Sequence, residues 1–132
     1  MTFESTGAIT FFYYRDLAAA ADFYENTLGF ELVDDQGWAR IYRIHGTAYL
    51  GIVAGERAFH QPREDNAVLL TLVVRDVDAW YSRFVECGVP IRREIETHKD
   101  IQVRCFFAED PGGYAVEIQT FLKPSAAETF GL

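Results

Sequence analysis

A repeated unit constrains this chain more than any other feature. Arg15-Asp16-Leu17 returns sixty residues later as Arg75-Asp76-Val77, and the glycines that follow, Gly29 and Gly88, stand fifty-nine residues apart. In each copy the tripeptide joins a β-rich run to an apolar-periodic run. Each aspartate therefore falls where a helix N-cap belongs, and each glycine where a helix ends. Residues 8–14, Ala-Ile-Thr-Phe-Phe-Tyr-Tyr, predict the first strand. Leu17, Ala20, Ala21, Tyr24 and Leu28 then share one face of a helix over 17–28, and Val77, Trp80, Tyr81 and Phe84 form the matching stripe in the second copy. Strands are expected at 30–33, 38–44 and 48–53 in the first copy, and at 67–74, 91–95, 101–108 and 114–121 in the second, with a charged loop at 96–100.

Each copy thus reads β-α-β-β-β, too small to bury its own sheet, so the two should pair into one α+β domain over 1–132. Its parts are a first module at about 8–53, a polar connector at 54–66, a second module at about 67–121 and a tail at 122–132. The tail reads as a loose end or a segment that packs on a partner. The length of 132 residues suits a single domain with a substantial core. Twelve basic against twenty acidic residues give a net charge of −8, and no basic stripe for a nucleic acid is visible. The start, Met1-Thr2-Phe3-Glu4-Ser5, lacks a signal-peptide pattern, and no run is long enough to span a membrane, so a cytoplasmic protein is expected. Cys87 and Cys105 form neither a disulfide framework nor a metal-spacing motif.

The second module ends on Glu109-Asp110-Pro111-Gly112-Gly113-Tyr114-Ala115-Val116-Glu117-Ile118-Gln119-Thr120. Asp-Pro-Gly-Gly is a turn signal, since proline fixes φ and glycine permits positive φ. The strand after it carries a carboxylate, Glu117, among apolar residues, and carboxylates are rarely buried without a partner. Three readings of Glu117 stay open. It pairs across the sheet with Arg104 or Arg40, it fixes a ligand by accepting a hydrogen bond, or it is a catalytic general acid or base.

With Tyr14-Arg15-Asp16-Leu17, with Phe23-Tyr24 followed by Leu28-Gly29-Phe30, and with Asp110-Pro111-Gly112-Gly113 before Glu117, the chain resembles the vicinal oxygen chelate superfamily. That superfamily includes glyoxalase I, extradiol dioxygenases and bleomycin- or fosfomycin-resistance proteins, and the resemblance runs from about residue 8 to 121. It implies two βαβββ modules forming a cupped, eight-stranded mixed sheet around a pocket, usually in a homodimer. Metal-dependent members use four positions, which the resemblance places at Ile9, Gly51, Leu69 and Glu117. Three of these four cannot ligate through a side chain, so no metal cofactor is expected. His45, His60 and His98 fall in a turn and two loops, without the spacing of a preformed site.

With Ile9 and Leu69 facing the cavity, as the resemblance implies, alternation adds Phe11, Tyr13, Thr71 and Val73, with Ala115, Glu117 and Gln119 on the last strand. Phe12, Tyr14, Leu70, Leu72 and Val74 would pack under the helices. Trp38, Tyr42, Phe106 and Phe107 on middle strands are candidates for the mouth, and Arg104 is a further pocket candidate. Such a lining suits an organic ligand with one hydrogen-bonding handle. The expected function is metal-free binding of a small aromatic or amphipathic molecule, for sequestration as in the resistance relatives. The alternative is an enzyme of glyoxalase, isomerase, lyase or dioxygenase type working through Glu117, without a metal or with one held by unusual ligands. A third reading is a regulatory or assembly module.

Overall fold

The computed structural model describes residues 3–132. The chain divides into two compact units, Met1–Asp65 and Asn66–Leu132, with the boundary inside the expected connector. In the first unit, β1 (Ala8–Tyr14) leads to α1 (Leu17–Asp22), and a π-helical turn (Phe23–Thr27) is followed by β2 (Glu31–Asp35), β3 (Ala39–His45) and β4 (Ala48–Ala54). In the second, β5 (Leu69–Val73) leads to α2 (Val77–Glu86), then β6 (Ile91–His98), β7 (Val103–Glu109), β8 (Ala115–Phe121) and α3 (Pro124–Thr129).

The repeat is realised strand for strand. The first sheet has the order β1-β4-β3-β2 and the second β5-β8-β7-β6. In each, the first strand of the unit runs parallel to the last, and the remaining pairings are antiparallel. The caps repeat as well. The Asp16 carboxylate accepts from the Ala19 N–H at 3.0 Å, and Asp76 accepts from Ala79 at the same distance, each satisfying a donor of the first helical turn. Gly29 and Gly88 both take positive φ, 74° and 73°, as helix-ending residues do.

One face of each sheet is covered by its helix. In the first unit Phe12, Tyr14, Leu50, Ile52 and Tyr42 are buried with Ala20, Ala21 and Tyr24 of the helical segment. In the second, Phe106 meets Phe84 of α2 edge to face at 5.3 Å and Tyr81 at 5.0 Å, over Leu72, Val116 and Ile118.

Several boundaries differ from the sequence reading. The helix expected over 17–28 narrows to α1 and then widens, with the Leu28 N–H bonded to the Phe23 carbonyl five residues back. The adjacent rings of Phe23 and Tyr24 are both buried there. The charged loop at 96–100 begins later, because β6 continues through His98. The tail is not loose. Pro124 opens α3, Phe130 stacks on Phe121 with centroids 4.9 Å apart, and Arg75 donates to the Gly131 carbonyl, so the segment folds back on its own unit.

Candidate functional site

Strand pairing decides which side chains share a face, since directly opposed residues project together. In the second unit Leu69, Thr71 and Val73 of β5 oppose Ala115, Glu117 and Gln119 of β8. These in turn oppose Glu109, Phe107 and Cys105 of β7. Phe107 is opposed on β6 by Arg93, and Cys105 by Glu96. This face lies opposite α2.

Glu117 sits at its centre, only 9% exposed. The Thr71 hydroxyl donates to its Oε1 at 2.8 Å. The arginines proposed as its partners are engaged elsewhere. Arg104 makes a forked pair with Asp78 of α2, at 3.0 and 2.7 Å, and donates to the Thr97 hydroxyl. Arg40 binds Glu25 at 3.2 Å and approaches Asp35 at 3.7 Å. The cross-sheet ion pair of Glu117 is thereby corrected: among the described residues, no cation lies within ion-pair reach of its carboxylate, and its bonded neighbours are neutral donors, the Thr71 hydroxyl and the Cys105 thiol.

The surroundings respond to this charge. Burial first, and then the neighbouring Glu117 carboxylate, push the Cys105 thiol up to about 11. Arg93 does not reach Glu117 as an ion-pair partner. Its guanidinium lies over the Phe107 ring, 5.4 Å from the centroid.

In the first unit the face opposite α1 carries Ile9, Phe11 and Tyr13 of β1, opposed by Tyr49, Gly51 and Val53 of β4, with Ile41 beyond Gly51 on β3. Ile9 is 44% and Phe11 38% exposed. A Cβ built on Gly51 would stand 2.3 Å from the Phe11 ring, so that ring fills the space a side chain at 51 would need. Tyr13 meets His60 edge to face at 5.3 Å.

Each sequence candidate can now be placed. Thr71, Glu117 and Gln119 lie together on the face opposite α2, with Leu69 at its edge, and Ile9, Phe11 and Tyr13 lie together on the face opposite α1. Trp38 precedes β3 and is 44% exposed. Three candidates fall on the helix-covered faces instead. Phe106 is fully buried against α2, and Arg104 is tied to α2 through Asp78. Tyr42 is fully buried and donates to Glu25 at 2.9 Å; burial and this bond push its phenol up to about 12. Phe106 and Tyr42 belong to the core and Arg104 to its half-exposed edge, because each is one residue out of phase with the opposite face. Sequence reasoning passed over Arg93, Glu96 and the role of Cys105. The register of β6 against β7, interrupted between Arg93 and Glu96, sets both on the face of Glu117, and the pairing of β7 with β8 sets Cys105 there.

The resemblance gives metal ligands to four positions, Ile9 and Gly51 in the first unit and Leu69 and Glu117 in the second. Ile9, Leu69 and Gly51 offer no side-chain donor, and the Phe11 ring occupies the space in front of Gly51. Glu117 alone supplies one carboxylate, against the three or four donors that a first-row divalent ion takes from protein.

Comparison with known proteins places this arrangement in context. The family described as Glyoxalase/Bleomycin resistance protein/Dioxygenase superfamily matches residues 8–118. A glyoxalase/bleomycin resistance protein/dioxygenase from Nocardioides superposes with a TM-score of 0.74 at 17% identity, covering 94% of this chain and 87% of that one. TioX from Micromonospora sp. ML1 gives the same TM-score and identity over 89% of this chain and all of its own. A glyoxalase/bleomycin resistance protein from Catenulispora acidiphila reaches 26% identity with a TM-score of 0.66, over 88% and 98% of the two chains. No curated protein matches the sequence.

Proposed function

The chain belongs to the glyoxalase/bleomycin resistance protein/dioxygenase superfamily, and from that premise we propose that it binds a small aromatic or amphipathic molecule without a metal ion. The binding surface is the face of the second sheet opposite α2, and Glu117 is the group that fixes the ligand. One observation carries the reading: a carboxylate nine-tenths buried on that face receives two neutral donors, the Thr71 hydroxyl and the Cys105 thiol, and no cation. A charge held this way costs stability unless something completes its shell, and a ligand donor does so. Thr71 and Gln119 supply further polar contacts, and Leu69, Ala115 and Phe107 supply apolar surface. The biological role that follows is sequestration, in line with the resistance naming of solved relatives. The protein works in the cytoplasm, as a homodimer.

Glu117→Gln tests the reading, because the amide keeps the shape and removes the charge. Ligands found by a thermal-shift screen should bind the variant at least about tenfold more weakly, while its melting temperature stays within a few degrees of the parent. A large fall in melting temperature with binding intact would assign Glu117 to the scaffold.

A catalytic role for Glu117 as general acid or base is the second reading, favoured by the same burial and by the hydroxyl 2.8 Å away. It takes precedence if a turnover assay loses activity in Glu117→Gln while substrate still binds.

A further inference from the structure

The charges around Glu117 bear on what kind of molecule it receives. Directly opposed residues form one rung across the second sheet: Thr71 on β5, Glu117 on β8, Phe107 on β7 and Arg93 on β6. Glu117 is buried and Arg93 exposed. The rung has its cation two strands from its carboxylate, on the order of 10 Å along the hydrogen-bonding direction. That cation is occupied by the Phe107 ring. A second carboxylate, Glu96, joins the face through its pairing with Cys105, and a third, Glu109, is paired with Arg92 at 2.9 Å, which leaves Glu117 and Glu96 against Arg93. Cys105 adds no compensating charge. Its thiol stays protonated at neutral pH, pushed up by burial and by Glu117 itself.

Resting on the binding reading above, we infer that the ligand carries a positively charged nitrogen, an ammonium or amidinium group, which docks on Glu117 while its apolar body lies along Phe107 and Leu69. A buried carboxylate with neutral donors alone attracts a cation strongly, because little water screens the pair. An ammonium donor would add the attraction of opposite charges to its hydrogen bond, which the uncharged Thr71 hydroxyl cannot. An anionic ligand would meet Glu117 and Glu96 with like charge. The protein's net charge of −8 acts in the same direction, drawing cations and repelling anions at long range.

The test uses three probes of one shape: 2-phenylethylamine, 2-phenylethanol and 3-phenylpropionate. Each is titrated into the uniformly nitrogen-15-labelled full-length chain, and the amide shifts of Thr71, Phe107 and Glu117 report occupancy of the face. The expected result is saturable binding of the amine about tenfold tighter than the alcohol, with the carboxylate weakest. In Glu117→Gln both amine and alcohol should bind more weakly, the amine losing far more, so that the preference for the amine over the alcohol vanishes. In Arg93→Gln, which removes the competing cation, the preference should stay or grow. Equal binding of amine and alcohol in the parent overturns the charge inference and leaves the binding reading standing. So does tighter binding of the carboxylate. Absence of shifts on this face with all three probes at millimolar concentration overturns both.

Discussion

Cys105 shows how a single side chain reports the chemistry of this face. The sequence reads Cys87 and Cys105 alike as small buried residues; Cys105 is one, at 3% exposed, but Cys87 is exposed. The neighbours of Cys105 are what composition does not reveal. With the thiol pushed up to about 11 from an ordinary value near 9, thiolate is scarce at neutral pH and alkylation is slow. Cys87, exposed at the end of α2, should be labelled by iodoacetamide first, and Cys105 only as pH climbs towards 11. Removing the Glu117 charge removes a cause that raises the thiol. In Glu117→Gln the pH profile of Cys105 labelling should therefore shift to lower pH, measured by mass spectrometry of the two peptides. An unchanged profile would mean that burial alone holds the proton. Linkage gives the same sign for stability: the thiol's contribution is intact below pH 9 and lost as pH rises from there through about 11, as the unfolded chain ionises first.

Among the elements, the strands were legible in outline and their facing only in part. β1 was placed at residues 8–14 from its β-branched and aromatic run, and its alternation correctly separated Phe12 and Tyr14 from Phe11. The middle strands were harder. Phe106 and Phe107 are adjacent aromatic residues, and nothing in the sequence states which of them opposes Ile118 and which opposes Glu117. The register settles it, and the two rings have different work. Phe106→Ala should cost about 3–5 kcal/mol in denaturant unfolding, as the loss of a fully buried ring packed on Phe84 and Tyr81. Phe107→Ala should cost clearly less and weaken binding of the amine probe instead. The reverse ranking would invert the assignment of faces. The π-helical turn after α1 and the docking of α3 were not legible, because each depends on contacts between residues that carry no turn or cap signal of their own: Leu28 with Phe23, and Phe130 with Phe121.

For the whole chain, the repeat of Arg-Asp-hydrophobe and closing glycine was sufficient to give two sheets of identical strand order. The family follows from the match over residues 8–118. Of the four positions that the resemblance gives to metal ligands, Ile9, Gly51 and Leu69 carry no side-chain donor, and the Phe11 ring fills the space in front of Gly51. Among the described residues, no helix is long and apolar enough to cross a membrane. The account therefore stands or falls on whether Glu117 works without a metal. Elemental analysis by mass spectrometry of the purified protein, before and after incubation with iron, zinc, manganese and nickel and removal of the excess, tests this most directly. The account predicts metal far below stoichiometric in both samples, with binding of the amine probe unaffected by a chelator. About one tightly held metal per chain, lost on Glu117→Gln, would contradict it, since that requires several ligands acting together.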